Sequence, residues 1–221
     1  MTYAVDFTPV FAAFGDLLRG LWLSVRLAAL STLIGGTAAI GLAAAKLSGR
    51  RLLRAPVDAY VELIRNTPLL VQVFFVFFGL PAIGLRLHPD TAALVALTLN
   101  AAAYMTEIMR AGIQSVARGQ VEAGLALGLH RVQVFRHVVL IPALRSVYPA
   151  LTSQFNVLLL GTSVVSAISA DELTHVGEYI VSLTYRSFEV YLTIGVMYFV
   201  ASWGFALLFG AAERRFFAYP A

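Results

Sequence analysis

Leu21-Trp-Leu-Ser-Val-Arg-Leu-Ala-Ala-Leu-Ser-Thr-Leu-Ile-Gly-Gly-Thr-Ala-Ala-Ile-Gly-Leu-Ala-Ala-Ala45 contains one charged residue, Arg26, and then meets Lys46, Arg50, Arg51 and Arg54. A helix rises about 1.5 Å per residue, so about 20 apolar residues cross the roughly 30 Å of bilayer hydrocarbon. This stretch reads as a membrane span closed by a basic boundary. Four more segments have the same character: near Val57 to Leu80 (stopping at Pro81), Thr91 to Gln114, Ser146 to Ser169, and Val190 to Ala212 before Glu213, Arg214 and Arg215. The expected fold class is an all-α integral membrane protein of about five transmembrane helices.

Composition agrees. The 221 residues are 59% hydrophobic and 13% charged, with a mean hydropathy of +0.81, against about 45–50% apolar and 25% charged in a soluble domain. A soluble enzyme is excluded. With no cysteine, disulfide scaffolds, thiol nucleophiles and cysteine zinc sites are absent. His88, His130, His137 and His175 show no H-E-x-x-H spacing, so no metal is expected. Asp6 and Asp16 precede Arg19, the reverse of a signal peptide's basic start, so the N-terminus reads as a short tail. Without repeats or flexible linkers, residues 1–221 read as one transmembrane domain.

Lys and Arg collect on the cytoplasmic side of membrane proteins. Segment 46–56 holds four bases and no acid, and 115–145 holds Arg118, Arg131, Arg136 and Arg145 against Glu122 alone. Segment 170–189 holds Asp171, Glu172, Glu178 and Glu189 against Arg186. The expected topology is N-terminus outside and C-terminus cytoplasmic.

Segment 115–145 is therefore expected in the cytoplasm, yet Val121, Leu125, Val132 and Phe135 recur at helical intervals among Glu122, His130, Arg131 and Arg136. Such a segment needs a protein partner or the bilayer surface. Glycine costs about 1 kcal/mol relative to alanine inside a helix, so Gly128 is expected to break the segment into two short helices.

Polar residues in spans report the face that avoids lipid. At 100° per residue Asp58, Glu62, Arg65, Asn66 and Gln72 fall within about 120° of the second span. Asn100, Tyr104, Glu107 and Gln114 fall within about 80° of the third, with Arg110 placed to pair with Glu107. Thr152, Asn156 and Ser163 share about 40° of the fourth while Gln154 points away. The fifth span is apolar and is expected to face lipid. Three striped spans favour a hydrated solute pathway over simple helix packing, with Asn66, Gln72, Asn100 and Tyr104 foremost. Asp58, Glu62 and Arg65 could form only an exposed ion pair.

Pro68 is expected to kink the second span. Thr37, Gly41 and Ala45 offer a small-residue face for another helix, and Arg26, near the outer end, can snorkel. Ser169-Ala-Asp-Glu172 fits a capping box that would open a short external helix with an acidic surface.

The stretch Gly119-Gln-Val-Glu122-Ala-Gly-Leu-Ala-Leu-Gly128-Leu resembles the E-A-A-x-x-x-G loop of ATP-binding cassette (ABC) importer permeases. Arg65-Asn-Thr-Pro68-Leu-Leu-Val-Gln72, Leu99-Asn100 with Ala103-Tyr104, Glu107-Ile108 with Arg110, Thr152-Ser-Gln154-Phe, and Thr162-Ser163 resemble the polar amino acid branch, the histidine/glutamine permease family. The resemblance runs from about residue 18 to 215. It implies the type I ABC importer permease fold, a second permease subunit (identical or paralogous), two ATPase subunits below, and a solute-binding protein delivering an amino acid from outside. Glu122, Ala123, Gly124, Gly128 and Leu129 inherit coupling to the ATPases. The substrate pathway is expected along Asn66, Thr67, Pro68, Gln72, Asn100, Tyr104, Glu107, Gln154, Asn156, Thr162 and Ser163.

The chain departs from the family in four places. Gly124 replaces the usual alanine, which would loosen that turn. Pro142 stands one position late after Leu140-Ile141. Leu160-Gly161 replace Lys-Asp, so no charged role transfers there, and Gln154 stands where relatives carry Glu, which disfavours a cationic substrate. No G-x-x-x-x-G-K-[ST] loop occurs, so the chain is not an enzyme and holds no cofactor; ATP and Mg are expected on the partner ATPases. Membrane lipid is the other partner, and no nucleic acid is expected. An ion-driven carrier or a non-transporting scaffold are the alternatives. A carrier predicts an inverted repeat and mid-span acids, which the sequence does not display.

Overall fold

In the computed structural model residues 4–217 are described, and among them every regular element is helical. The two chain ends expected on opposite membrane faces, 1–3 and 218–221, lie outside the described residues. The elements are α1 (Thr8–Ala12), α2 (Phe14–Leu47), α3 (Arg51–Arg65), α4 (Leu69–Phe74), α5 (Pro89–Gln114), α6 (Arg118–Ala126), α7 (Arg131–Val134), α8 (Leu140–Gly161), α9 (Leu173–Thr184) and α10 (Ser187–Phe217). A π-helical turn (Phe75–Gly79) and a 3-10 turn (Leu80–Ile83) extend α4, a second π turn (Phe135–Val139) joins α7 to α8, and a 3-10 segment (Thr162–Ile168) extends α8.

The element lengths and composition bear out four or five spans, the number depending on one bent pair. Expected boundaries move outward. Helix α2 begins at Phe14, where the Asp16–Arg19 pair (3.1 Å) continues it, so Arg26 lies further along the span than expected. The fourth apolar helix runs from Arg131 to Ile168, so its first turns lie within the segment read as a loop.

The seam between α2 and α5 organises the bundle. Ser31, Gly35, Ala39 and Ala43 are buried along one face of α2, with Gly35 against Thr98, Ala101 and Ala102 of α5, while Ser24 and Ala28 earlier on α2 meet Glu172 and the Phe155–Leu159 cluster. A Cβ at Gly35 would lie 2.8 Å from the Ala101 Cβ and 3.0 Å from the Thr98 carbonyl oxygen, so only glycine permits this approach. Of the expected small-residue face, Ala45 packs against α3, whereas Thr37 and Gly41 are exposed, with nothing within 4 Å of a Cβ at Gly41. Thr37 is two residues from Gly35, about 200° around the helix, so the α2–α5 seam uses a different face.

The second span is not continuous. Its halves, Arg51–Arg65 and Leu69–Ile83, meet at 110°, so Pro68 marks a break instead of a kink. Helix α3 packs Val57, Val61, Tyr60 and Ile64 against Leu42, Ala45 and Ala103, while the second half joins the main core through Val73 and Val76.

Two acids read as external charge are fully buried. Glu172, and not Ser169, caps α9, accepting from the His175 amide at 2.8 Å; Ser169 has φ +59° and ends the preceding 3-10 segment. The other Glu172 oxygen accepts from the Tyr198 hydroxyl at 2.6 Å and from Ser24 at 3.3 Å. Burial pushes this carboxyl above its usual range, and these hydrogen bonds oppose the shift. Of the acids in segment 170–189, Asp171 and Glu178 remain exposed. Glu189 accepts from the Asp6 amide at 2.9 Å and pairs with Arg186 at 3.5 Å, tying the N-terminal segment to α10. Helix α10 otherwise faces outward, as expected, with Leu192, Val196, Phe199 and Leu207 exposed.

Gly35→Ala is expected to destabilise the purified chain by about 1–3 kcal/mol, the cost of overpacking, whereas Gly41→Ala stays within about 0.5 kcal/mol. Thermal unfolding in detergent checks this; a larger loss at Gly41 would show that the seam lies on the other face.

Candidate functional site

The break in the second span is built from its own sequence. Pro68 lacks an N–H and disfavours helical geometry at Thr67, which frees carbonyls that then need other donors. Neighbouring side chains take them up. The Asn66 side-chain amide donates to the Glu62 carbonyl at 2.8 Å, and the Thr67 hydroxyl to the Leu63 carbonyl at 2.8 Å. Gln72 Nε2 reaches back to the carbonyls of Ile64 (2.8 Å) and Thr67 (3.0 Å). Asn100 Nδ2 on α5 then donates to Gln72 Oε1 at 3.0 Å, so buried Gln72 and Asn100 pin the break to α5. Thr67, Gln72 and Asn100, expected on a solute route, have their polar atoms committed to this staple.

Beside the staple lies a polar cleft of about 290 Å³, lined by Lys46, Val61, Glu62, Arg65, Asn66, Tyr104 and Glu107. Three expected pathway residues, Asn66, Tyr104 and Glu107, therefore meet here. Glu107 is the centre of its charge. It pairs with Lys46 and with Arg110 (2.8 Å), and lies 3.9 Å from Arg65; Lys46 also reaches Asp58 at 2.8 Å, which Arg54 holds at 2.9 Å. Arg65 lies over the Tyr104 ring, 5.5 Å from its centroid. The expected Glu107–Arg110 pair is present, and Asp58 belongs to a half-buried network instead of an exposed pair. Lys46, read only as a boundary charge, is the residue that sequence reasoning missed. Its signal was its position directly after Ala45, ahead of the Arg50, Arg51 and Arg54 group.

Gln154, Asn156, Thr162 and Ser163 do not line this cleft. Gln154 is buried with Nε2 unpaired, and Asn156 Oδ1 is buried without a hydrogen bond. Thr162 donates to the Leu159 carbonyl and lies 3.4 Å from the Tyr198 hydroxyl, and Ser163 donates to the Leu160 carbonyl. Ser163 is the second residue of the 3-10 segment that extends α8. Pro68 is exposed at the start of α4.

Segment 115–145 breaks where expected. Gly128 has φ +81°, the left-handed turn that ends α6. The Leu129 amide donates to the Gly124 carbonyl at 3.2 Å and the Gly128 amide to the Leu125 carbonyl at 3.0 Å, a Schellman closure. Glu122 and Ala123 are exposed and Leu129 is half-buried. Gly124 is buried, and a Cβ there would meet Val134 at 3.2 Å, so this position permits close packing of α6 on α7. The apolar side chains turn outward: Leu127 is 83% and Val132 77% exposed, with Leu125 and Phe135 also open.

A helical membrane bundle with one stapled broken span, a polar cleft beside it and an uncovered apolar segment at one end is the architecture of a transport permease. The chain belongs to the family of binding-protein-dependent transport system inner membrane components, whose description matches residues 36–217. It is 37% identical to the octopine transport system permease protein OccM of Rhizobium meliloti, over 95% of this chain and 90% of that one. It is 35% identical to the glutamine transport system permease protein GlnP of Escherichia coli K12, over 95% and 97%. A solved amino acid ABC transporter with histidines superposes with a TM-score of 0.91 at 36% identity, covering 96% of this chain and all of that one. The MetNI methionine ABC transporter shares the fold, at TM-score 0.77 and 22% identity. The permease identity leaves the carrier and scaffold readings without support.

Gln72→Met is expected to cost about 2–3 kcal/mol because it orphans two carbonyls, whereas Asn100→Leu removes one bond and costs about 1 kcal/mol. Thermal unfolding of the purified chain reads the difference, and equal losses would show that Gln72 does not staple the break.

Proposed function

We propose that this chain is the translocating subunit of an importer for polar amino acids or their conjugates. In this reading a second permease subunit completes the pathway, a solute-binding protein delivers cargo from outside, and two ATPase subunits bind ATP and Mg on the cytoplasmic side. The chain itself performs no hydrolysis and acts as a single transmembrane permease domain with its N-terminus outside. The substrate class follows from relatives whose names specify octopine, glutamine and arginine transport.

The observation that carries the reading is the uncovered apolar surface of Leu125, Leu127, Val132 and Phe135 around the Gly128 turn. Burying one leucine is worth about 2 kcal/mol, so a rigid, Schellman-closed segment with several open large side chains supports docking by a protein partner. Glu122, Ala123, Gly124, Gly128 and Leu129 form or shape that surface. The segment is continuous through the π turn with α8, which packs on α5, the helix that carries Asn100, Tyr104 and Glu107. Movement of docked ATPases would thereby tilt one wall of the cleft. ATP drives the cycle only by binding one arrangement more tightly than the other. Solute passes along the cleft of Asn66, Tyr104 and Glu107, with Thr67, Pro68, Gln72 and Asn100 shaping its wall; Gln154, Asn156, Thr162 and Ser163 contribute from α8 and its extension.

Leu127→Asp, Glu122→Lys and Gly128→Pro are each expected to lower uptake at least tenfold and to reduce ATPase recovered with the purified permease, while the amount inserted in the membrane is unchanged. The first two alter exposed side chains, and the third removes the positive φ. Normal uptake with full ATPase recovery in Leu127→Asp and Glu122→Lys would overturn the coupling assignment.

A further inference from the structure

Helix α3 presents three distinct faces. Val57, Val61 and Ile64 pack inward, and Arg54, Asp58 and Arg65 lie on the polar side. The remaining side is apolar and uncovered: Leu52 is 92% and Leu63 63% exposed, with Pro56 and Ala59 exposed between them. At spacings of four, three and four these residues share an arc of about 60°, so they form one stripe along the helix.

Its placement says what the stripe meets. The helix follows α2 after a three-residue turn, is held to the end of α2 by Lys46–Asp58, and meets the next half-span at 110°. It therefore crosses the bundle where α2 leaves the hydrocarbon, the position of an interfacial amphipathic helix. Arg50 and Arg51 stand exposed at the start of the stripe, and among the described residues only the third base of the cluster, Arg54, is paired with an acid. An apolar stripe with unpaired arginines at one end complements an anionic phospholipid, with acyl chains over Leu52 to Leu63 and a phosphate at Arg50 and Arg51.

We propose that α3 lies in the leaflet on the side of segment 115–145 and selects an anionic phospholipid at its Arg50–Leu52 end. Each arginine near an anionic headgroup favours it about fivefold, and salt weakens the preference.

The full chain carrying Trp22→Phe, Trp203→Phe and Leu52→Trp, reconstituted in phosphatidylcholine vesicles with a minority of phosphatidylglycerol, tests this through quenching by brominated lipid. Brominated phosphatidylglycerol is expected to quench Trp fluorescence at least about fivefold more per mole than brominated phosphatidylcholine. Arg50→Gln with Arg51→Gln, or high salt, abolishes the difference. The parallel Leu63→Trp chain, about 16 Å along the helix, is quenched by both lipids alike. Equal quenching by the two lipids at position 52, the same bias at 63, or no quenching by either lipid would overturn the proposal, the last because a second copy or another protein covers the stripe.

Discussion

A backbone carbonyl released where a helix breaks against its neighbours needs a new hydrogen bond, so the break holds only if side chains supply the missing donors. In this protein those donors lie within eight residues of the break. Asn66 and Thr67 cap the end of α3, and Gln72 reaches back across Pro68. Because Gln72 is itself held by Asn100, the break is fixed at one height on α5. The direction of α3 follows: it turns away by 110° and brings Glu62 and Arg65 to the cleft that Tyr104 and Glu107 complete. Without the staple the second span would either straighten, removing the cleft, or leave the carbonyls of Ile64 and Thr67 without the Gln72 donor.

The α2–α5 seam supplies the other wall. Alanine, serine and glycine at the contact bring the backbones close enough for Lys46 to reach Glu107, so one carboxylate joins α2 to α5 while Asp58 adds α3. The strength of the network is uneven. Lys46 and Glu107 side chains are 10% and 17% exposed, whereas Arg65 is 45% exposed and stands 3.9 Å from Glu107. Exposed, distant pairs contribute little. A movement that separates α3 from α5 therefore breaks the Arg65 contact first and leaves the Lys46 pairing intact, which makes the Arg65–Tyr104 side of the cleft its compliant edge.

What could be read from sequence follows continuity of the helix. On α5, which is unbroken, angular arithmetic placed Tyr104 and Glu107 together and found the Glu107–Arg110 pair. The same arithmetic extended through Pro68 assumed a 3.6-residue repeat that the chain abandons. Gly128 was legible because a left-handed turn has few alternatives to glycine. The buried Glu172 was not, since charge counting cannot tell a surface acid from one held by Ser24 and Tyr198 across 148 and 26 residues. A clue existed in Tyr198 itself, a hydroxyl in a nearly apolar span that needs a partner wherever it is buried.

From Val132 onward the two ends of the molecule are joined through helical geometry alone. From the open apolar surface at Leu127 and Val132 the chain passes through the Gln133–His130 cap (2.9 Å) and the π turn into α8, with no glycine or loop intervening between Arg131 and Leu160. Helix α8 meets α5 through buried Ala143 and Val147, and Ser146 lies 3.2 Å from Ser115 just past its end. Close-packed helix contacts transmit displacement because they lack slack. Glu107 stands two turns before the end of α5, so a tilt entering at α8 reaches the carboxylate network before it reaches the staple at Asn100. The order of contact therefore places the charged cleft ahead of the stapled break along the path from segment 115–145.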